Sequence, residues 1–355
     1  MNSAVSARLV NGPFGDPGLY IRLPWQGRAV VCDLGHNDAL SITDMLRLSH
    51  VFVSHCHMDH FIGFDRLLRV FLSQSKTLRL FGPPGLLACV AGKLQGYTWN
   101  LVDGYGFALE VTEVGRQTMQ RARFEAAAGF RPQPLAAVPF TGTLVEEAGF
   151  CVRTVHLDHR IDCLAFALEE EAHLNVDTAV LAELGLGPGP WLSELKGAVR
   201  AERPDDFCIR AEWRQDGRRH ERSLVLGELR ERLVKHTPGH KIAYVVDTLY
   251  SADNAARIAG LAHRADVLFC ESPFVHADHE QATRRYHLTA HQAGLLGRAA
   301  QAKKLAVFHF SPRYSGQAEI LYREARETFE GRQEDADDHA LSGQPSALSP
   351  SLATV

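Results

Sequence analysis

Ser54-His55-Cys56-His57-Met58-Asp59-His60 follows directly on the apolar run Val51-Phe52-Val53, and its reading decides the fold. Three imidazoles and a carboxylate share one short segment. In an extended chain alternate side chains point the same way, so His55 and His57 share a face, and Asp59 and His60 turn toward a neighbouring point once the chain bends. One strand end is therefore expected to feed two adjacent metals. Neutral imidazole and carboxylate suit Zn²⁺, with Mn²⁺ or Fe²⁺ as alternatives, and a site without thiolates leaves a coordination position open for water. In a chain with 18 His, a merely polar, histidine-rich loop is the plain alternative, but the strand anchor and the H-x-H-x-D-H order favour the metal site. By alternation Cys56 points away from His55 and His57 and reads as a packing residue.

The chain has 355 residues and 45% hydrophobic content, enough to bury a large core, which excludes overall disorder. No run of about 18 apolar residues and no charged-then-apolar N-terminal pattern occurs, so neither a membrane span nor a signal peptide is expected, and a cytoplasmic location follows. Seven Cys without a C-x-x-C pair fit reduced thiols. A formal net charge of -4 gives no global pull toward nucleic acid, so any RNA binding must use a local patch.

Upstream of the motif, short apolar runs separated by turn residues, ending in the strand Ala29-Val30-Val31-Cys32-Asp33, read as an antiparallel meander closed by Gly35. Downstream, helices are expected from Phe64 and from Leu86, with a strand Leu78-Arg79-Leu80-Phe81 between them, while residues 96–149 carry no clear pattern. The strand Phe150–Val155 delivers His156-Leu157-Asp158-His159. His159 is favoured as the third imidazole ligand because the returning strand Ile161–Phe166 follows it; His156 is the competitor. The Gly/Pro-rich run Leu184–Gly197 reads as neither helix nor central strand, and so as a projecting segment. Lys241–Val246 is a buried strand ending in Asp247. Asp266–Cys270 is a strand ending in Glu271, Thr289 caps a helix, and Lys304–His309 is the last core strand. One domain over residues 1–332 is expected, with an insertion at about 170–240, followed by a tail at 333–355 that is poor in large apolar side chains and reads as disordered.

These residues resemble the metallo-β-lactamase superfamily, whose fold is an α/β αββα sandwich carrying this motif at the end of an early strand. Within it the chain resembles ribonuclease Z, the endonuclease that removes 3′ trailers from tRNA precursors, at Val155–His159, Lys241–Thr248 and His309-Phe310-Ser311-Pro312-Arg313-Tyr314. Gly187–Gly197 is similar to the Gly-Pro segment of that family's flexible arm, the exosite that grips the tRNA body. His287-Leu288-Thr289-Ala290 is similar to its His-Ser-Thr-Ala segment, whose histidine lies near the scissile phosphate.

The resemblance implies two zinc ions per chain: His55, His57 and His159 hold one, Asp59, His60 and His309 hold the second, and Asp247 bridges both. A bridging carboxylate offsets the repulsion between dications about 3.5–4 Å apart, which lower the pKa of a shared water toward about 7 and stabilise both oxygens of a phosphoryl displacement. Asp59 then orients or deprotonates that water; His287, with Glu271 to orient it, reads as protonating the leaving oxygen or stabilising the pentacoordinate phosphate, the plain alternative being a surface histidine at a helix start. Implied substrate contacts are Gly187, Pro188, Gly189, Pro190 and Lys196, with Arg313 either a phosphate contact or the partner of a carboxylate. The implied partners are a tRNA precursor and a second copy in a homodimer. Val246 stands where the family usually has Gly, Ala165-Phe166 replaces its Gly-Tyr pair, and the opening Val10–Gly15 departs from its pattern. None of these removes a ligand. They leave open a small-molecule hydrolase (lactonase, arylsulfatase or cyclic-nucleotide phosphodiesterase) and a non-catalytic RNA-binding relative on the same scaffold.

Overall fold

The structure, a computed structural model, describes residues 5–215 and 217–331, so the expected tail at 333–355 lies outside the described residues. Eight strands form a first sheet in simple chain order. Its opening is the expected antiparallel meander, Ser6–Leu9, Leu19–Leu23 and Arg28–Cys32. The next strands, Leu48–Phe52, Thr77–Gly82 and Ala108–Val114, are parallel, which requires crossovers; these run through helices Ile42–Leu46, Phe64–Phe71 and Leu86–Gln95. Met45, Phe64, Phe71, Leu86 and Val90 from those helices pack with Val31, Val51 and Leu80 of the sheet. Alternation then turns Phe52 the other way, where its ring lies 5.4 Å from Phe81 and 5.5 Å from Phe166 of the second sheet.

Residues 96–149, opaque to periodicity, hold four strands: Ala108–Val114, Thr118–Glu125, Pro132–Pro139 and Thr143–Glu147. Ion pairs such as Arg123–Glu110 (2.8 Å) and Arg123–Glu125 (2.7 Å) occupy much of the exposed surface and blur the pattern. Pro132, Pro134 and Pro139 argue against a strand anywhere except at a sheet edge, which is where this strand lies.

The second sheet has six strands in the order Leu305–Phe308, Val267–Glu271, Lys241–Val245, Asp162–Glu170, Phe150–Asp158, Thr143–Glu147. Helices Ala252–Leu261, Ala290–Ala299 and Ala318–Phe329 cover it through Ile258, Leu296 and Leu321 packed with Val245, Leu268 and Val307. Two sheets face each other with helices outside each, the αββα sandwich of the metallo-β-lactamase fold. Among the described residues no helix is long and apolar enough to cross a membrane.

This body combines the described residues up to Glu147 with Cys151–Glu169 and those from His240 onward; Ala148–Phe150 and Glu170–Gly239 form a second compact unit. The second unit holds the hairpin Cys208–Gln215/Arg218–Val225, the strand pair His173–Val176/Val234–Thr237 and three helices, Thr178–Glu183, Trp191–Arg200 and Leu226–Arg232. Trp191–Arg200 corrects the reading of the Gly/Pro run as helix-free. Pro190 falls at the helix start, where a missing N–H costs nothing, and Trp191, Leu195, Ala198 and Val199 then bury one face. Gly187 and Gly189 are required by packing: a Cβ would stand 2.1 Å from the Trp213 ring and 2.3 Å from the Glu212 carbonyl oxygen, respectively.

Candidate metal centre

Strands Lys241–Val245, Val267–Glu271 and Leu305–Phe308 are mutually parallel, so Asp247, Glu271 and His309 emerge at the same end of the second sheet. Strand Leu48–Phe52 of the first sheet delivers the H-x-H-x-D-H loop to the same place, where the Leu164 amide donates to the Ser54 carbonyl at 2.9 Å. The loop turns into a short helix, Met58–Phe61, that carries Asp59 and His60. Two glycines permit this turn: a Cβ on Gly35 would stand 2.7 Å from the Asp59 carbonyl, and one on Gly63 would stand 2.3 Å from the Gly35 carbonyl.

Ligating atoms of His55, His57, His159 and Asp247 lie within 4.8 Å of one another, as do those of Asp59, His60 and His309. Asp247 stands between the sets: its Oδ2 is 3.5 Å from His55 Nε2, 3.5 Å from His60 Nε2 and 3.4 Å from His159 Nε2, and its Oδ1 is 3.0 Å from His309 Nδ1. His309 Nε2 and His60 Nε2 lie 3.6 and 3.4 Å from Asp59 Oδ2. Every residue expected to ligate is thus gathered in one place. His156 is not: three positions before His159 it faces Phe140 and Asp162, with Nδ1 3.5 Å from Asp162 Oδ1. Cys56 packs against the first core, as alternation requires.

Outer contacts fix the rings. His159 Nδ1 donates to the Tyr286 carbonyl at 2.8 Å, which leaves Nε2 facing Asp247. His60 Nδ1 lies 2.8 Å from Asp33 Oδ2, and that same oxygen accepts from Ser54 Oγ at 2.8 Å and Tyr244 Oη at 2.9 Å. The Ser54 amide donates to Asp33 Oδ1 at 2.6 Å. Asp33 and Tyr244 form the main hub that the sequence reading missed. The signal was present in both cases: a carboxylate directly after a buried apolar strand, and a phenol inside one.

Buried His55 Nε2, His60 Nε2, Asp247 Oδ1 and His309 Nδ1 make no hydrogen bond among the described residues. Leaving each so costs roughly 1–3 kcal/mol. Four converging orphaned donor atoms, all nitrogen or carboxylate oxygen, fit divalent cations. The electrostatics agree. Burial, then the charge of His60, pushes the His55 imidazole down to about 2, so it is neutral with a lone pair available for a cation. Burial opposes ionisation of Asp247, but His60 and His309 outweigh it and hold its carboxyl well below the usual range.

His287 stands beside the second set. Its Nδ1 is 2.7 Å from Glu271 Oε2 and 3.9 Å from Asp247 Oδ1, and Glu271 is itself fixed by the Thr248 and Leu288 amides at 3.0 and 3.2 Å. Burial opposes protonation of His287, yet Glu271 outweighs it and raises the imidazole pKa. Thr289 closes a capping box with Gln292, which sets the helix start just after His287. Arg313 pairs with Asp278 at 3.2 Å, and Lys196 is half-buried in the second unit.

Backbone strain collects here. Five of the nine described non-glycine residues with positive φ are Asp33 (59°), Arg160 (61°), Asp247 (45°), Tyr286 (61°) and His309 (62°), each a member of the two ligand sets or adjoining one by contact or sequence.

The chain is similar to the protein named ribonuclease Z of Deinococcus radiodurans, 33% identical over 316 residues that cover 87% of this chain and 91% of that protein. It is also similar to the one so named in Crocosphaera subtropica, at 29% identity over 87% of this chain and 86% of that protein. Among solved structures, the metallo-beta-lactamase fold protein YhfI from Bacillus subtilis matches with a TM-score of 0.50 and 14% identity over 92% of this chain and 93% of that chain, a likeness of fold. No family model matches the chain.

Proposed function

Because the chain belongs to the ribonuclease Z family, metal-dependent hydrolases of the metallo-β-lactamase superfamily, we propose that it removes 3′ trailers from tRNA precursors by endonucleolytic hydrolysis of one phosphodiester. The observation that carries this reading is the convergence of the two ligand sets on Asp247. His55, His57 and His159 would hold one ion, Asp59, His60 and His309 the other, and Asp247 would bridge, with zinc the expected metal at both. When bound, two such ions supply Lewis acidity that makes water nucleophilic near neutral pH and neutralises charge on the phosphate.

The chain's own groups do the rest. Asp59, held by His60 and His309, orients the attacking water and accepts its proton. His287, aimed by Glu271, donates a proton to the leaving oxygen. The second unit supplies the handle for the tRNA body, with Gly187, Pro188, Gly189 and Pro190 forming its turn and Lys196 a cation for a backbone phosphate. The Asp278 pairing favours a structural role for Arg313. The protein acts in the cytoplasm as a homodimer.

The test is incubation of purified, zinc-loaded protein with a 3′-extended tRNA precursor beside bis(p-nitrophenyl) phosphate. One trailer fragment of defined length, lost on chelation and restored by Zn²⁺, is expected. A ladder of single nucleotides, or turnover of the small diester alone, overturns the reading.

A further inference from the structure

Arg160 follows the ligand His159 directly, in the tight turn between strands Phe150–Asp158 and Asp162–Glu170. Its backbone is strained at φ 61°, and its amide is tied to Asp158 Oδ1 at 2.8 Å. The exposed guanidinium lies over the Tyr286 ring, 4.5 Å from the centroid. Tyr286, also at φ 61°, is the residue whose carbonyl orients His159, and it precedes His287 in the chain. Two strained loops, one bearing a metal ligand and one bearing the leaving-group histidine, thus meet through a cation stacked on an aromatic face.

Of the arginines that share a pocket with Arg160, Arg116 pairs with Asp162 at 2.7 Å and Arg257 donates to the His156 carbonyl at 3.0 Å. The Arg160 guanidinium makes no hydrogen bond or ion pair among the described residues; it lies over the Tyr286 ring. Contact with the ring restrains the guanidinium while its N–H donors stay unpaired, and such donors suit bidentate recognition of phosphate. Asp158, Asp162 and Asp253 line the same pocket as Arg160, yet the guanidinium pairs with none of them, which leaves its charge for a substrate anion.

We propose that Arg160, held flat on Tyr286, binds the phosphate that neighbours the scissile one in a polynucleotide chain. The inference rests on the phosphodiesterase reading above, but not on tRNA as the substrate. It makes Arg160 a substrate-binding residue that registers the chain, so that one particular diester meets the centre.

The test uses TpT and TpTpT as competitive inhibitors of bis(p-nitrophenyl) phosphate hydrolysis by the zinc-loaded protein. Only TpTpT carries a neighbouring phosphate, and taking the ratio of the two inhibition constants within each variant cancels any general loss of activity. Wild type should prefer TpTpT by about tenfold, the scale of one charge-assisted phosphate contact. Arg160→Ala should bring the ratio near one and make the salt dependence of TpTpT binding shallower by about 0.7 in log–log slope, the loss of one contact to a single strand. Arg160→Lys, which keeps the charge without the planar fork, and Tyr286→Leu, which keeps the carbonyl but not the stacking face, should fall between. They read the same ratio if Arg160→Ala does not fold. A wild-type ratio of one, a ratio unchanged in the variants, or a fall that appears only with loss of zinc overturns the proposal. If the ratio collapses as expected while wild type leaves tRNA precursors intact, the phosphate contact stands and the tRNA reading fails.

Discussion

Replacing Asp33 with Asn should weaken one metal and spare the other. Asp33 is 1% exposed, and its Oδ2 alone meets His60, Ser54 and Tyr244. An amide keeps the shape but substitutes NH₂ for one oxygen, so in either orientation a donor faces a donor: the Ser54 amide on one side, or His60, Ser54 Oγ and Tyr244 Oη on the other. Stranding from one to three buried donors costs roughly 1–3 kcal/mol each, which in a domain of this size is a fall in Tm of several degrees. The ring beside Asp33 is His60, which loses the carboxylate's charge in either orientation and its acceptor in the second, and which serves only the set containing Asp59 and His309. Disturbing such an outer contact typically costs about 10–100-fold in metal affinity. Competition of fully loaded protein against a graded chelator should show one ion leaving at correspondingly lower chelator activity, with the second at its wild-type position. Tyr244→Phe removes a donor while Asp33 keeps its other partners, so it should lower Tm modestly and leave both ions in place. Release of both ions together in Asp33→Asn, or no change in either, would refute the assignment of Asp33 to one site.

Two further outcomes are expected. His287→Ala should lower turnover of a tRNA precursor by roughly 10²–10⁴-fold with metal content unchanged, as read by single-turnover kinetics and metal analysis; loss of zinc would make it a ligand, and an unchanged rate would make it a surface residue. The second unit should be removable as a block. A Cβ on Gly239 would stand 1.9 Å from the Glu170 carbonyl, so the ends of the excised segment already touch and a short Gly link can close residues 171–239. Metal content and small-diester hydrolysis should survive while tRNA binding in a gel-shift assay is lost, and tRNA binding that persists would move the handle elsewhere.

Much of the first-sheet core and the histidines and carboxylates that converge on Asp247 were legible because they announce themselves locally. Val51-Phe52-Val53 is a buried strand by composition, and the histidines that follow it leave little else to be. Lys241–Val245 and Leu305–Phe308 are equally plain, each ending one or two residues before its ligand. What escaped was decided by partners distant in sequence. The prolines of Pro132–Pro139 exclude a central strand, but that the segment is a strand at all depends on Thr118–Glu125 lying on its inner side. The helix Trp191–Arg200 hides behind Gly-Pro-Gly-Pro because those residues belong to the turn before it, and the hairpin that makes their glycines necessary begins only at Cys208. Asp33 is the same case at the site: its meaning rests on Tyr244, 211 positions away.

That separation bears on how the protein is made. The first histidines of the centre, from His55 on, leave the ribosome well before Asp247 and His309, which follow 192 and 254 positions later, and the bond between Asp33 and Tyr244 can form only once both sheets exist. Contacts of such long range are late and slow to close. A nascent chain therefore exposes H-x-H-x-D-H as a loose chelating segment before anything can complete either cage. Any ion captured then is held by an incomplete set, weakly enough to exchange. For the two sites proposed above, selection of the metal would thus fall to the finished fold, where Asp33 holds the His60 ring in place.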